Sequence, residues 1–277
     1  MKSFLVALAV ILFCQPGFSQ FHYFFSDSST NPAGVIAALH IKSDSIFSYT
    51  LQGRKIIDSS FLAAEEYNAN GTISTQSQVI NKKTGAIIVD SFFYNAAGLP
   101  ARHSMGSKGG KPYAINTIHY DGKGLDTGGH SYTDPSIQGA RNCTSRKEYN
   151  NAGQLTGKYL QWDAEKMYLA MDYTYDGEGR LAEVNNYKEN GALLYTTLYE
   201  YKDNNQRTTV YRKKPDGKIK NMVYYYNKQG RCTRISWFIG KAPWEYRFLY
   251  NPDGTLFEYK TVKGKKQETH RHYYSKG

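Results

Sequence analysis

The stretch Tyr173-Thr-Tyr175-Asp176-Gly177-Glu178-Gly179-Arg180-Leu181 decides the fold. It sets a tyrosine beside an Asn or Asp, a glycine four residues after the tyrosine, and an aliphatic residue six after it. The same spacing recurs along the chain. Its copies are Tyr67-Asn-Ala-Asn-Gly71, Tyr94-Asn-Ala-Ala-Gly98, Tyr120-Asp-Gly-Lys-Gly124, Tyr149-Asn-Asn-Ala-Gly153, Tyr226-Asn-Lys-Gln-Gly230 and Tyr250-Asn-Pro-Asp-Gly254. Tyr201 heads a copy in which Asn205 replaces the glycine, and Tyr274 keeps the phase at the end of the chain. The tyrosines are 24 to 29 residues apart.

The motif encodes a hairpin. In Asn251-Pro-Asp-Gly254, proline fixes φ at the first central position of a type I turn, and glycine takes a positive φ without a Cβ penalty. A three-residue loop closed by a bulge then pairs Asn251 with Thr255 and sets Tyr250 across from Leu256. The same geometry pairs Tyr67 with Ile73, Tyr149 with Leu155, Tyr175 with Leu181 and Tyr226 with Cys232. Asn205 is the residue expected to take the positive φ at the Tyr201 turn.

A second, looser set of turns at Lys83-Thr-Gly85, Asn190-Gly191, Pro215-Asp-Gly217, Gly240–Pro243 and Lys263-Gly264 divides each interval into strand, turn, strand. The expected fold is all-β: an extended antiparallel meander of about fifteen strands, coiled or rolled, over residues 67–277. The tyrosine spacings mix odd and even values, so bulges must absorb the difference or the tyrosines must point both ways. Residues 20–66 lie outside the repeat and are expected to cap the open sheet edge, with 31–40 readable as a short helix or a buried strand.

These motifs resemble the YD-repeat, or Rhs-type, family, and looser copies cover about three-quarters of the chain. The resemblance implies a long coiled or rolled β-sheet at a secreted or surface location, with toxin-shell, carbohydrate-binding or adhesive roles in large members. This chain is short and has neither the core segment nor the C-terminal toxin domain of those members.

Residues 1–19 combine Lys2, an apolar run from Phe4 to Cys14, and small residues at Gly17 and Ser19, the layout of a secretory signal peptide. The expected location is periplasmic, cell-surface or secreted. The remaining chain has no apolar run long enough for a transmembrane helix. Fifteen per cent aromatic residues, with 25 tyrosines among them, argue against disorder. Export also permits a disulfide between Cys143 and Cys232, which would require the sheet to roll or close.

Formal net charge is +11, and residues 201–277 hold 18 Lys and Arg against 6 Asp and Glu. Arg212, Lys213, Lys214, Lys218 and Lys220, with Trp237, Trp244 and Tyr246, form the candidate ligand-binding set. The partner such a set suits is an anionic polysaccharide or an envelope protein rather than nucleic acid. The bland reading is that turn lysines solvate hairpin tips and the alternating rings are core.

No catalytic motif stands out, no metal set extends beyond His270 and His272, and no cofactor is implied. A non-enzymatic exported binding protein is the leading expectation, a purely structural envelope scaffold the alternative, and an outer-membrane barrel a further one. The last needs one strand face free of charge, and on 180–188 and 206–213 both faces carry charges.

Overall fold

The computed structural model describes residues 33–276 except 53–54, 82–83, 205–206, 239–242 and 264–265. The signal-peptide segment 1–19 lies outside the described residues. A short helix, α1 (Ala33–Ala38), buries Ile36 and leads into eighteen strands. These are β1 (Ile41–Gln52), β2 (Lys55–Tyr67), β3 (Ile73–Asn81), β4 (Ala86–Tyr94), β5 (Pro100–Ser107), β6 (Pro112–Tyr120), β7 (Asp126–Thr133), β8 (Cys143–Tyr149) and β9 (Leu155–Trp162). They continue as β10 (Tyr168–Tyr175), β11 (Leu181–Tyr187), β12 (Leu193–Lys202), β13 (Arg207–Lys214), β14 (Gly217–Tyr226), β15 (Cys232–Trp237), β16 (Trp244–Tyr250), β17 (Leu256–Lys263) and β18 (Lys266–Lys276).

Each strand pairs antiparallel with the next, and β18 pairs with β1. The sheet is therefore a closed up-and-down β-barrel, and closure removes both open edges. This corrects the expectation for residues 20–66. Their described part does not cap an edge from outside, because β1 and β2 are strands of the wall and β1 is the one that closes it.

The repeat turns all lie at one end of the barrel. At seven of them the Asn or Asp backbone N–H donates to the carbonyl four residues further on, just before the next strand, as in Asn251 to Thr255 at 2.8 Å and Asp176 to Arg180 at 2.8 Å. The expected cross-turn pairs Tyr67–Ile73, Tyr149–Leu155, Tyr175–Leu181, Tyr226–Cys232 and Tyr250–Leu256 are all present, each beside a bulge. Gly179 and Gly254 have φ of 75° and 94°, the conformation a side chain resists. The Tyr201 turn differs. Positive φ falls on Asp203 and Asn204, Asn205 lies outside the described residues, and Tyr201 pairs with Thr208 without a bulge.

All nine tyrosines face the interior. Partner rows identify the face: Tyr274, Asp44, Glu65, Gln76, Asp90, Met105, Ala114 and Thr133 run in register from β18 round to β7. Side chains two or four residues along a strand share that face, so Tyr67 lies with Glu65 and Tyr94 with Asp90. Large residues on this face are buried, including Met171, Val210, Tyr224, Phe248 and Leu256, while Leu249 and Phe257 on the other face are 50% and 41% exposed. Irregularities in the pairings of β3–β4, β5–β6, β9–β10 and β13–β14 absorb the mixed odd and even spacings.

The tyrosines also explain why the motif uses Tyr rather than Phe. Each of seven hydroxyls donates to the backbone carbonyl six residues past the preceding repeat tyrosine: Tyr94 to Ile73, Tyr120 to Pro100, Tyr149 to Asp126, Tyr175 to Leu155, Tyr201 to Leu181, Tyr250 to Cys232 and Tyr274 to Leu256, at 2.6–2.9 Å. Burial pushes the Tyr149, Tyr175 and Tyr201 phenols above their ordinary range, which keeps them protonated as donors. The result is a ring of hydrogen bonds stitching alternate hairpins together at one rim.

Candidate functional site

The basic residues collect on the outer wall of β13–β17. Lys213 and Lys218 are directly opposed in the β13–β14 hairpin, and Lys220 is opposed to Tyr211. All three are exposed; Arg212 and Lys214 are exposed as well, but they alternate onto the inward face of Val210, with Arg212 over the Tyr195 ring at 4.6 Å, and so do not belong to the outer wall. Lys218 sits over the Tyr211 ring at 4.3 Å and is ion-paired with Glu200, whose carboxyl that hydrogen bond holds below its ordinary value. Lys220 lies 5.4 Å from the Phe238 ring.

Register assembles a second set that linear reading did not single out. Arg207, Tyr225, Arg234, Arg247 and Lys260 form one outward row across β13–β17. At about 4.8 Å per strand the row spans roughly 19 Å. Arg234 packs on Tyr225 at 3.7 Å, Arg247 pairs with Glu245 at 2.6 Å, and Lys260 with Glu258 at 3.2 Å. Arg234 opposes Arg247, and Arg247 opposes Lys260, so the wall holds three cation–cation pairs in direct register. Such pairs are unfavourable by several tenths of a kcal/mol each unless a counter-charge intervenes. The signal in the sequence was the even spacing of cations along strands, but its meaning depended on a register that bulges reset.

The aromatic members of the expected set lie elsewhere. Trp237 and Trp244 are paired with each other, and Tyr246 pairs with Ile235, all on the inner face. Tyr246 packs against the core cluster that contains Phe248 and Ile235. Thus Trp237, Trp244 and Tyr246 are separated from the lysines: they fill the barrel, in line with their alternation on one strand face, and do not extend the cationic surface.

The inner wall of β18 and β1–β6 carries a polar cluster. Asp44 is hydrogen-bonded to His272 Nδ1 and accepts the Tyr273 backbone N–H at 3.1 Å. Glu65, directly across from Asp44, accepts from the Tyr67 hydroxyl at 2.6 Å and from Gln76 Nε2 at 2.8 Å. Burial raises the Glu65 carboxyl to about 7; the Asp44 charge adds to this, and the Tyr67 and Gln76 donors oppose it. Further round, His103 bonds Asp90 at 2.7 Å and Asn116 at 3.3 Å. Tyr259 stacks on His270 with ring centroids 4.3 Å apart. The β1–β2 hairpin sets Asp44 across from Glu65, and β1–β18 closure, which linear order does not reveal, adds His272. Among the described residues no group of His, Cys, Asp and Glu is arranged to hold a metal ion.

Cys143 and Cys232 are both buried, but they are not bonded to each other. Cys143 begins β8, six residues from Tyr149, whereas Cys232 follows a repeat turn, so they lie at opposite ends of the wall, about 20 Å apart along it. The disulfide that export would permit is therefore not formed: strand pairing closes the sheet, and no crosslink is needed.

No known family model matches the sequence, and no curated protein does. Solved structures give distant likenesses. A porin-like protein from Bacteroides uniformis superposes with a TM-score of 0.46 at 8% identity, covering 86% of this chain and 97% of the other. A porin-like protein from Bacteroides vulgatus gives 0.29 at 13%, covering 85% and 98%. A crystal structure of TcdB2-TccC3-Cdc42 gives 0.32 at 14%, covering 79% of this chain but only 14% of that one. These scores are too low for a common function to follow.

Proposed function

We propose that the protein is an exported, non-enzymatic β-barrel of YD-repeat type whose β13–β17 outer wall binds an anionic polymer, an acidic envelope or extracellular glycan. The observation that carries this reading is the direct opposition of like charges at Lys213–Lys218, Arg234–Arg247 and Arg247–Lys260. Glu200, Glu245 and Glu258 offset Lys218, Arg247 and Lys260, whereas Lys213 and Arg234 have no carboxylate partner among the described residues, and an anionic chain crossing the strands would supply one. Export is inferred from the sequence of residues 1–19.

The test is retention on an anionic glycan matrix across a salt series. The triple variant K213Q/K218Q/K220Q is expected to elute at clearly lower salt than the parent, with a shallower salt dependence. Equal and weak retention of both would sink the reading.

Closure is what an outer-membrane barrel requires, but the outward face speaks for water. At mid-strand it carries Arg146, Asp172, Glu183, Arg234 and Arg247. Charges facing lipid near the midplane cost about 2–4 kcal/mol each for Arg and Lys. The exported protein is accordingly expected in the soluble fraction after membrane pelleting, without detergent. Recovery only in detergent-extracted membranes would favour the membrane alternative.

A further inference from the structure

β1 is held differently from the strands around it. Repeat turns join β2 to β3, β4 to β5 and so on round the rim, but no turn joins β18 to β1. The tyrosine stitch changes there too. By the pattern of Tyr94 and Tyr120 the Tyr67 hydroxyl would reach a carbonyl at the start of β1, yet it donates to Glu65 Oε2 at 2.6 Å. Carboxylates take both places. Asp44 grips β18 through His272 Nδ1 and through the Tyr273 backbone N–H at 3.1 Å, and Glu65 faces Asp44 across the β1–β2 ladder. Farther along the seam the Ser48 hydroxyl donates to Glu268 at 2.7 Å.

Asp44 and Glu65 are 0% and 1% exposed. Directly opposed side chains have Cβ atoms about 5 Å apart, and two carboxylates that close and that dry cannot both be charged without a large penalty. Facing Glu65 on the inner wall are Asp44 from β1, Tyr67 from its own strand, Gln76 from β3, Asp90 beyond it on β4, and His272 and Tyr274 from β18. None of these is Lys or Arg, and α1 brings no titratable side chain. His272 is the one imidazole among them, and its Nε2 is buried with no hydrogen-bond partner among the described residues. Burial, with the Asp44 charge adding to it, holds the Glu65 carboxyl up at about 7 against the Tyr67 and Gln76 donors. Losing that proton leaves two anions behind one imidazole. Water relieves them only through a gap in the wall, and the junction that no turn tethers is β18–β1.

We propose that the β18–β1 seam is a proton-held clasp: it stays shut while the Asp44–Glu65 pair holds a proton and opens, with β1 and β2 moving together, once that proton leaves. Opening hydrates Glu65 and returns it to the ordinary 4.5. Each pH unit between there and about 7 therefore favours the open form by about tenfold more, with no further change above 7. The clasp lies inside the barrel, away from the basic outer wall, so it stands or falls apart from the glycan reading.

Hydrogen exchange followed by mass spectrometry, corrected for the intrinsic pH dependence of exchange, tests this on the whole protein. Between pH 5 and pH 7.5 the protection of peptides covering β1 and β18 is expected to fall by at least about tenfold, while that of β5 and β6 changes by less than about threefold. Glu65→Gln, which cannot ionise, is expected to keep β1 and β18 protected at both pH values. Oxidised S43C/S275C ties the seam covalently with Glu65 intact, since the two serine hydroxyls are 2.7 Å apart, and should do the same. If Glu65→Gln does not fold, the crosslinked variant carries the test. The proposal is overturned if β1 and β18 keep their protection in the parent, if β5 and β6 lose theirs equally, or if either folded variant retains the parent's pH response.

Discussion

A hydroxyl separates Tyr from Phe, and at the barrel rim that hydroxyl has a fixed partner. Tyr175 donates to Leu155 O at 2.8 Å, so Tyr175→Phe leaves a buried carbonyl short of a donor and is expected to cost about 1–2 kcal/mol by denaturant unfolding. Tyr225→Phe, outward beneath Arg234, is the control and should change stability by less than about 0.5 kcal/mol. The tyrosine positions were legible because a period near 25 residues stands out; the acceptors were not, since each lies about 20 residues back on another hairpin. Glu65 gives a second residue-scale prediction. Its carboxyl rises from an ordinary 4.5 to about 7 on folding, so between those pH values the folded state binds the extra proton. Stability from this group is therefore greatest near and below pH 4.5, falls as pH rises, and is lost in full above pH 7. The difference between parent and Glu65→Gln, followed by unfolding midpoint from pH 4.5 to 8, should drift by about 3 kcal/mol against the parent.

Hairpins carry the information one level up. Turn chemistry fixed the bulge, the glycine φ and the tyrosine–aliphatic pairs, all of which depend on fewer than ten neighbouring residues. Gly179 has φ 75° with only the end of the Gln154 side chain near a new Cβ, so Gly179→Ala isolates backbone strain. A loss of about 1–2 kcal/mol is expected in chemical denaturation. In the β13–β14 hairpin, Lys213→Glu converts an opposed cation pair into an ion pair and should stabilise by up to about 1 kcal/mol in low salt, with the gain fading as salt rises. The Tyr201 turn marks the limit of turn reading. Its register has no bulge, and Asn205 as a glycine substitute did not predict positive φ at both Asp203 and Asn204.

At the scale of the whole molecule the decisive contact is between the first strand and the last. Ser43 and Ser275 are 232 residues apart in sequence, yet their hydroxyls are 2.7 Å apart. The double variant S43C/S275C should therefore oxidise to a disulfide, detected as a loss of two mass units, and should raise stability by up to about 5.5 kcal/mol in the chain-entropy picture. Free thiols after oxidation would contradict closure in solution. The same contact creates the Asp44–His272 pair, and it gives each of the eighteen strands two neighbours. By itself the sequence determined the all-β class, the repeat, its turns and the basic excess of residues 201–277, because hairpins and charge counts are local properties of the chain. Only the tertiary structure decided that the sheet closes, that the tyrosines face inward, that Trp237 and Trp244 leave the cationic surface, and that Arg234, Arg247 and Lys260 fall into one row. The reason is that each bulge changes which side chains share a face, and closure is the sum of all eighteen registers, a quantity no single repeat contains.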